Sequence, residues 1–289
     1  MRTFHLLAGA AVALSLLAPP RARAQASGDT KPLFTAADGL LFGGFALGML
    51  AARPFDQSIA RRLRDSTTQA IRYSKNVAEG LNWLGTPGTL VIGALVYSGG
   101  RWVFNDRNMQ DLGLHGTQAV AGGLLFTMLG KGIAGRQRPY GQPQKDNPHN
   151  FGLNRGWRHE EYRSFPSGHT TMSFAAAAAV TSEARRWWPQ GSWAVGTALY
   201  GGASLVGLAR IYSDKHWATD VIVGAGVGTF AGLKAVRWNH SNPENRVNRW
   251  LLTVSGVPDG QGGFSWRLGA VPLMGGTDRW AEAAADARR

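Results

Sequence analysis

The chain has 289 residues, no cysteine and a formal charge of +13. That length suits one large domain or two small ones, and the lack of cysteine excludes disulfides, thiol catalysis and thiolate metal sites. The positive balance suits an anionic partner, either a phosphorylated substrate or an acidic lipid surface. No long basic tract with interleaved aromatics occurs, so nucleic acid is not expected as a partner.

In chain order, residues 1–24 read as a secretory signal. Arg2 supplies the charged start, Leu6 to Leu17 the short apolar core, and Ala22-Arg23-Ala24 the cleavage site. Removing it takes away Arg2, Arg21 and Arg23 and leaves +10. An exported, periplasmic protein is expected. Residues 25–38 read as a linker, 39–240 as a helical domain and 241–289 as a C-terminal appendage.

Within the helical domain, apolar segments alternate with polar ones. Helices are predicted over 40–52, 55–75, 84–97 and 117–129, then over 170–185, 193–208 and 218–237, with a long polar loop over 139–163. In the appendage, Phe264, Trp266 and Leu268 alternate with polar residues, which predicts a short β-hairpin around Pro258-Asp259-Gly260. A membrane span needs about 20 apolar residues. The runs here are shorter or bracketed by charges such as Asp220 and Lys234, and the mean hydropathy is −0.17. A soluble or peripheral bundle is therefore expected, with an integral inner-membrane protein as the alternative.

Three stretches carry chemistry. GKGIAGRQRPY groups Lys131, Arg136, Arg138 and Pro139; Lys131 closes a helix, Arg138 follows in the exit loop, and the cluster by itself reads as a solvated helix end. Taken alone, these are cations placed favourably at a helix C-terminus. In SFPSGHT, Pro166 and Ser167 start a helix whose first N–H groups can hold an anion, and Gly168 lets that anion approach the backbone. His169 then stands beside it as a proton donor. In ARIYSDKHWATD, Arg210 ends a helix, His216 lies in the next turn, and Asp220 follows at i+4, within reach of the imidazole. A helix cap with an incidental histidine and a surface His–Asp pair would explain the last two separately. Together the functional residues alternate between C- and N-termini of successive helices. In an antiparallel bundle, all these ends fall on one face.

Lys131 with Arg138-Pro139, then Pro166-Ser167-Gly168-His169, then Arg210, His216 and Asp220 resemble the signature of the type 2 phosphatidic acid phosphatase and vanadium haloperoxidase superfamily: K-x6-R-P, P-S-G-H and S-R-x5-H-x3-D. Ala209 stands where the family usually has serine. The likeness runs from about Thr117 to Lys234. It implies an all-α antiparallel helical bundle with the hairpin appended. It also implies phosphatase chemistry through a phosphohistidine: His216 attacks phosphorus, Asp220 orients it, and His169 protonates the leaving alcohol. Lys131, Arg138, Arg210, Ser167 and the Gly168 N–H hold the phosphate, and no metal is needed. Phosphatidate-type lipids, isoprenyl diphosphates and small phosphomonoesters all fit as substrates. A haloperoxidase with vanadate as cofactor, and a non-catalytic anion or lipid binder, are the alternatives; binding alone would not need both histidines. Gly224, Gly226 and Gly228 are expected to serve helix packing. His115, His149 and His159 lack metal-ligand spacing, and His159-Glu160-Glu161 reads as solvated.

Overall fold

A computed structural model describes residues 33–64, 80–81, 88–141 and 146–242, and the backbone of 252–258 and 264–270. The signal sequence, residues 25–32 of the linker, residues 65–75 of the second predicted helix and the hairpin turn after Pro258 lie outside the described residues. Seven α-helices are present among those described. They are α1 (Ala36–Ala52), α2 (Asp56–Arg64), α3 (Thr89–Ser98), α4 (Arg107–Ala134), α5 (Gly168–Trp187), α6 (Ser192–Tyr212) and α7 (Ala218–Ser241). A short 3-10 turn containing Pro54 joins α1 to α2, and a π-helical turn over Gly99–Val103 extends α3.

Small residues govern the packing, because they let helix backbones approach closely. The core joins Ala119 and Val120 of α4, Met172, Ala175 and Ala179 of α5, and Val236 of α7. On α7, Gly224 faces α5: a Cβ there would come within 2.7 Å of the Ser167 carbonyl oxygen, and Gly228 and Gly232 face Thr171 and Ala175 in the same way. These glycines thus serve helix packing rather than nucleotide binding. The order of contacts gives the directions. Gly168 of α5 meets Thr127 and Lys131 of α4, whereas Glu183 near the other end of α5 bonds His115, so α4 and α5 are antiparallel. Gly196 of α6 meets Thr181 and Gly207 meets Thr170, so α5 and α6 are antiparallel as well. Helix α1 runs antiparallel to α7, with Gly48 on Ile222 and Asp38 bonded to Lys234.

Several helices outrun their apolar centres. Helix α4 starts ten residues before the predicted Thr117, where the Asp106 carboxylate accepts from the N–H groups of Asn108 (2.8 Å) and Met109 (3.2 Å) as its N-cap. Helix α1 starts at Ala36, inside the predicted linker, with Asp38 accepting from the Thr35 N–H at 2.6 Å. The length argument against membrane crossing fails for this reason. Among the described residues, Ala36–Arg64, α4, α6 and α7 are long and apolar enough to cross a membrane. On α1, Leu40, Phe42 and Leu47 are each more than two-thirds exposed, an outward apolar face that suits lipid.

The C-terminal strands form a second compact unit. Strand β1 (Leu252–Pro258) pairs antiparallel with β2 (Phe264–Ala270), Leu252 opposite Ala270 and Pro258 opposite Phe264.

Candidate active site

The helix directions bring four ends together: the C-termini of α4 and α6 and the N-termini of α5 and α7. Lys131 lies in the last turn of α4. Gly135 ends that helix at φ 55°, a left-handed conformation that glycine adopts without strain, and the chain turns out toward Arg138. A Cβ on Gly168 would lie 3.9 Å from Lys131 Nζ, so the ammonium stands against the first residue of α5. The charges of Lys131, Arg138 and Arg210 all act on His169, and those of Lys131 and Arg138 on His216. The separately predicted residues therefore share one site.

Two of the three cations are held by main-chain groups. Lys131 Nζ donates to the Arg163 carbonyl at 3.0 Å. Arg138 donates to the carbonyls of Glu160 at 3.2 Å and Lys215 at 3.3 Å. Arg210 is buried, and its Nε has no hydrogen-bond partner among the described residues. Such an arrangement keeps positive charge for an incoming anion instead of neutralising it with carboxylates. At the start of α5, Ser167 Oγ bonds Thr170 Oγ1 at 2.9 Å, and no side chain among the described residues caps the first turn. Its first residue, Gly168, stands against Lys131, so the uncapped first turn and the ammonium can share one anion.

His216 is fixed differently from the sequence expectation. Its Nδ1 lies 2.7 Å from the Ser164 carbonyl oxygen, whereas Asp220 Oδ2 stands at 3.7 Å. A carbonyl can only accept, so Nδ1 carries the proton and Nε2 keeps its lone pair. Asp220 turns most of its capacity elsewhere. Its carboxylate accepts from Ser164 Oγ, from the Trp217 N–H at 2.9 Å and from Arg136 Nη1 at 2.5 Å. The Asp220 carbonyl also accepts the Ser167 N–H at 3.0 Å, which joins the starts of α5 and α7.

Burial holds the His216 imidazole well below its ordinary range; the Asp220 contact opposes this shift and the Lys131 and Arg138 charges add to it. Burial, then the Arg210, Lys131 and Arg138 charges, pull His169 down to about 3. Both rings are therefore neutral near neutral pH. A neutral ring can offer its bare nitrogen to an electrophile, and His169 can donate a proton only once an anion offsets the cations.

Three contributors escape sequence reasoning: Ser164, Arg136 and Asp56. Ser164 acts through its carbonyl, on His216, and through its hydroxyl, on Asp220, 56 residues away, and neither leaves a local signature. Arg136 stands within the Lys131–Arg138 stretch but reads there as one more surface cation. Asp56 is 80 residues from Arg136, to which it is bonded. By contrast, His159 and Glu161 are well exposed, as their solvated reading anticipates.

Residues 114–244 match the PAP2 superfamily. A 69-residue stretch is 41% identical to the lipid A 1-phosphatase of Porphyromonas gingivalis, covering 24% of this chain and 15% of that protein. This chain thus spans well under a fifth of the curated relative's length. Among solved structures, it resembles a transmembrane PAP2 type phosphatidylglycerolphosphate phosphatase from Bacillus subtilis, at a TM-score of 0.51 and 21% identity over 70% of this chain and 94% of that one. LpxE of Aquifex aeolicus also matches, at a TM-score of 0.44 and 21% identity over 63% of this chain and 94% of that one. The fold is that of a PAP2-type helical bundle.

Proposed function

We propose that this protein is a phosphatase that removes phosphate from lipid phosphomonoesters through a phosphohistidine on His216. The observation that carries the proposal is the meeting of Lys131, Arg138 and Arg210 with the uncapped N-terminus of α5, beside a histidine whose Nδ1–H is bonded and whose Nε2 is free. Nε2 attacks phosphorus, and the P–O ester bond breaks. His169, protonated once the anion is bound, gives its proton to the leaving alcohol. It then takes a proton from the water that attacks the phosphohistidine, which releases inorganic phosphate and frees His216. Lys131, Arg138, Arg210 and the Gly168 N–H stabilise the charge on the non-bridging oxygens, the main task in phosphoryl transfer. With charge supplied in this way, no metal is required.

A lipid substrate is supported by the outer faces of the helices that carry the cations. Leu129 and Ile133 on α4, and Leu205 and Leu208 on α6, are each more than 40% exposed and by helical spacing turn away from Lys131 and Arg210. The helices that bear the site thus present an apolar face that suits a bilayer, where a phosphorylated lipid resides. Helices of membrane-crossing length fit a membrane-associated protein, and the signal-like residues 1–24 favour export. Release of inorganic phosphate by the purified full chain, in excess chelator, tests the proposal with phosphatidate, isoprenyl diphosphate and a small soluble phosphomonoester as substrates. Release by the wild type and not by His216→Ala is expected. Activity that vanishes in chelator and returns with magnesium would refute the metal-free mechanism. No release from any substrate, with vanadate-dependent bromination by peroxide instead, would favour the haloperoxidase.

A further inference from the structure

Behind His216 lies a buried ionic cluster that touches no substrate position. Arg136, from the exit loop of α4, places all five of its N–H donors. Nε and Nη2 bond the Pro148 carbonyl at 3.0 and 2.8 Å, Nη2 bonds Asp56 Oδ2 at 2.8 Å, and Nη1 bonds Thr219 Oγ1 at 2.7 Å and Asp220 Oδ1 at 2.5 Å. Asp56 opens α2 and is fully buried, as is Asp220. It accepts the Thr219 N–H at 2.9 Å and the Thr219 hydroxyl at 2.6 Å. Trp217 and Phe151 flank the guanidinium, with ring centroids at 5.5 and 5.3 Å. One arginine fork therefore holds two carboxylates, one from α2 and one from the first turn of α7.

The cluster closes a ring around the nucleophile. The Arg136 carbonyl accepts the Ser164 N–H at 3.0 Å. The Arg136 guanidinium holds Asp220, and Asp220 accepts from the Ser164 hydroxyl. The Ser164 carbonyl, fixed at both sides, receives Nδ1–H of His216. Stability alone is a weak reason for such a cluster, because desolvating three charges costs as much as their attraction returns. Its geometric effect is specific: with Asp220 committed to Arg136, Ser164 and Trp217, the backbone carbonyl alone is left to select the His216 tautomer.

We infer that Asp56 and Arg136 are positioning residues that act through Asp220 and Ser164 to hold His216 as the Nδ1–H tautomer, with Nε2 facing the phosphate. The inference rests on the phosphohistidine reading for its kinetic consequence, but not for its tautomer. Asp56→Asn, Arg136→Lys and Ser164→Ala are made in the full chain, with folding followed by circular dichroism. Imidazole nitrogens are observed by NMR in protein carrying 15N-histidine, and His216→Asn assigns the signal. The wild type is expected to show protonated Nδ1 and bare Nε2 at His216. Asp56→Asn and Arg136→Lys are expected to mix the tautomers and to lower kcat about 10- to 100-fold, the scale of a misplaced reacting group. KM and sulfate affinity should stay within about 3-fold, since Lys131, Arg138 and Arg210 are untouched.

Ser164→Ala keeps the carbonyl and loses only the hydroxyl link, so a smaller effect of the same kind is expected. It decides the matter if the charge variants do not fold. A merely structural role would lower the melting temperature without moving the tautomer. Folded variants with a wild-type tautomer and unchanged kcat, or with raised KM and intact kcat, would overturn the inference. If the wild type hydrolyses nothing, the phosphatase reading fails while the imidazole spectrum still decides this one.

Discussion

Binding of a tetrahedral dianion is predicted to draw a proton onto His169. Before an anion binds, burial and the three cations hold this ring at about 3, so it is neutral at pH 6. Sulfate, which does not titrate near neutrality, supplies the opposite charge without protons of its own. Each unit of charge about 4 Å from the ring, at an effective dielectric of about 20, is worth about 4 kcal/mol, so a dianion is worth about 8 kcal/mol. At about 1.4 kcal/mol per pH unit, that is a rise of about six units, which carries the ring well above pH 6. Sulfate binding at pH 6 should therefore take up close to one proton. The sign follows: the bound state holds the extra proton, so affinity strengthens as pH falls from 7 to 5. Titration calorimetry in buffers of different ionisation enthalpy measures the uptake directly. His169→Gln should bind sulfate with no proton uptake and little pH dependence. Binding by the wild type without uptake, or uptake that survives in His169→Gln, would refute the argument.

Arg210→Ala and Arg138→Ala are each expected to lower kcat/KM by about 100-fold or more, the scale of one lost charge-stabilising donor, in steady-state phosphate release. Gly224→Ala places a methyl against the Ser167 carbonyl and should destabilise by about 1–3 kcal/mol, read as a lower melting temperature. Gly43→Ala in α1 meets no atom within 4 Å and should be neutral or stabilising by up to about 1 kcal/mol in the same assay. The folded state holds His216 neutral well below its ordinary range, so the unfolded chain binds the proton first. Its contribution to stability is present above the unfolded imidazole value and is lost as pH falls through about 6.5 and below. Denaturation midpoints should fall over that range, and by less in His216→Gln.

The residues that gather at the four helix ends were legible because they are side chains at fixed spacing on those ends, and alternating ends in an antiparallel bundle share a face. The glycines of α7 were legible for a related reason, since they follow no strand and fall inside a helix. What holds His216 was not. The sequence points to Asp220 at i+4, but the closer acceptor is a carbonyl of Ser164, 52 residues away, and any residue has a carbonyl. The Asp56–Arg136 pair joins distant parts of the chain; nothing local marks Asp56, and the sequence marks Arg136 only as one cation of a helix-end cluster. Helix lengths were underestimated because an apolar run marks only the part of a helix that faces apolar surroundings. In α4 the polar first turns were passed over, although Asp106 is a good N-cap and was readable as one.

Trapping the covalent intermediate tests the central claim most directly. The full chain is mixed with substrate carrying 32P in the scissile phosphate and quenched in alkali, where phosphohistidine survives. The label is then mapped by peptide analysis. The account predicts label on the peptide containing His216, acid-labile, absent from His216→Ala, and accumulating in His169→Gln when the leaving group is good enough to need no proton. Phosphate released by an active wild-type enzyme that never carries label on His216 would contradict it.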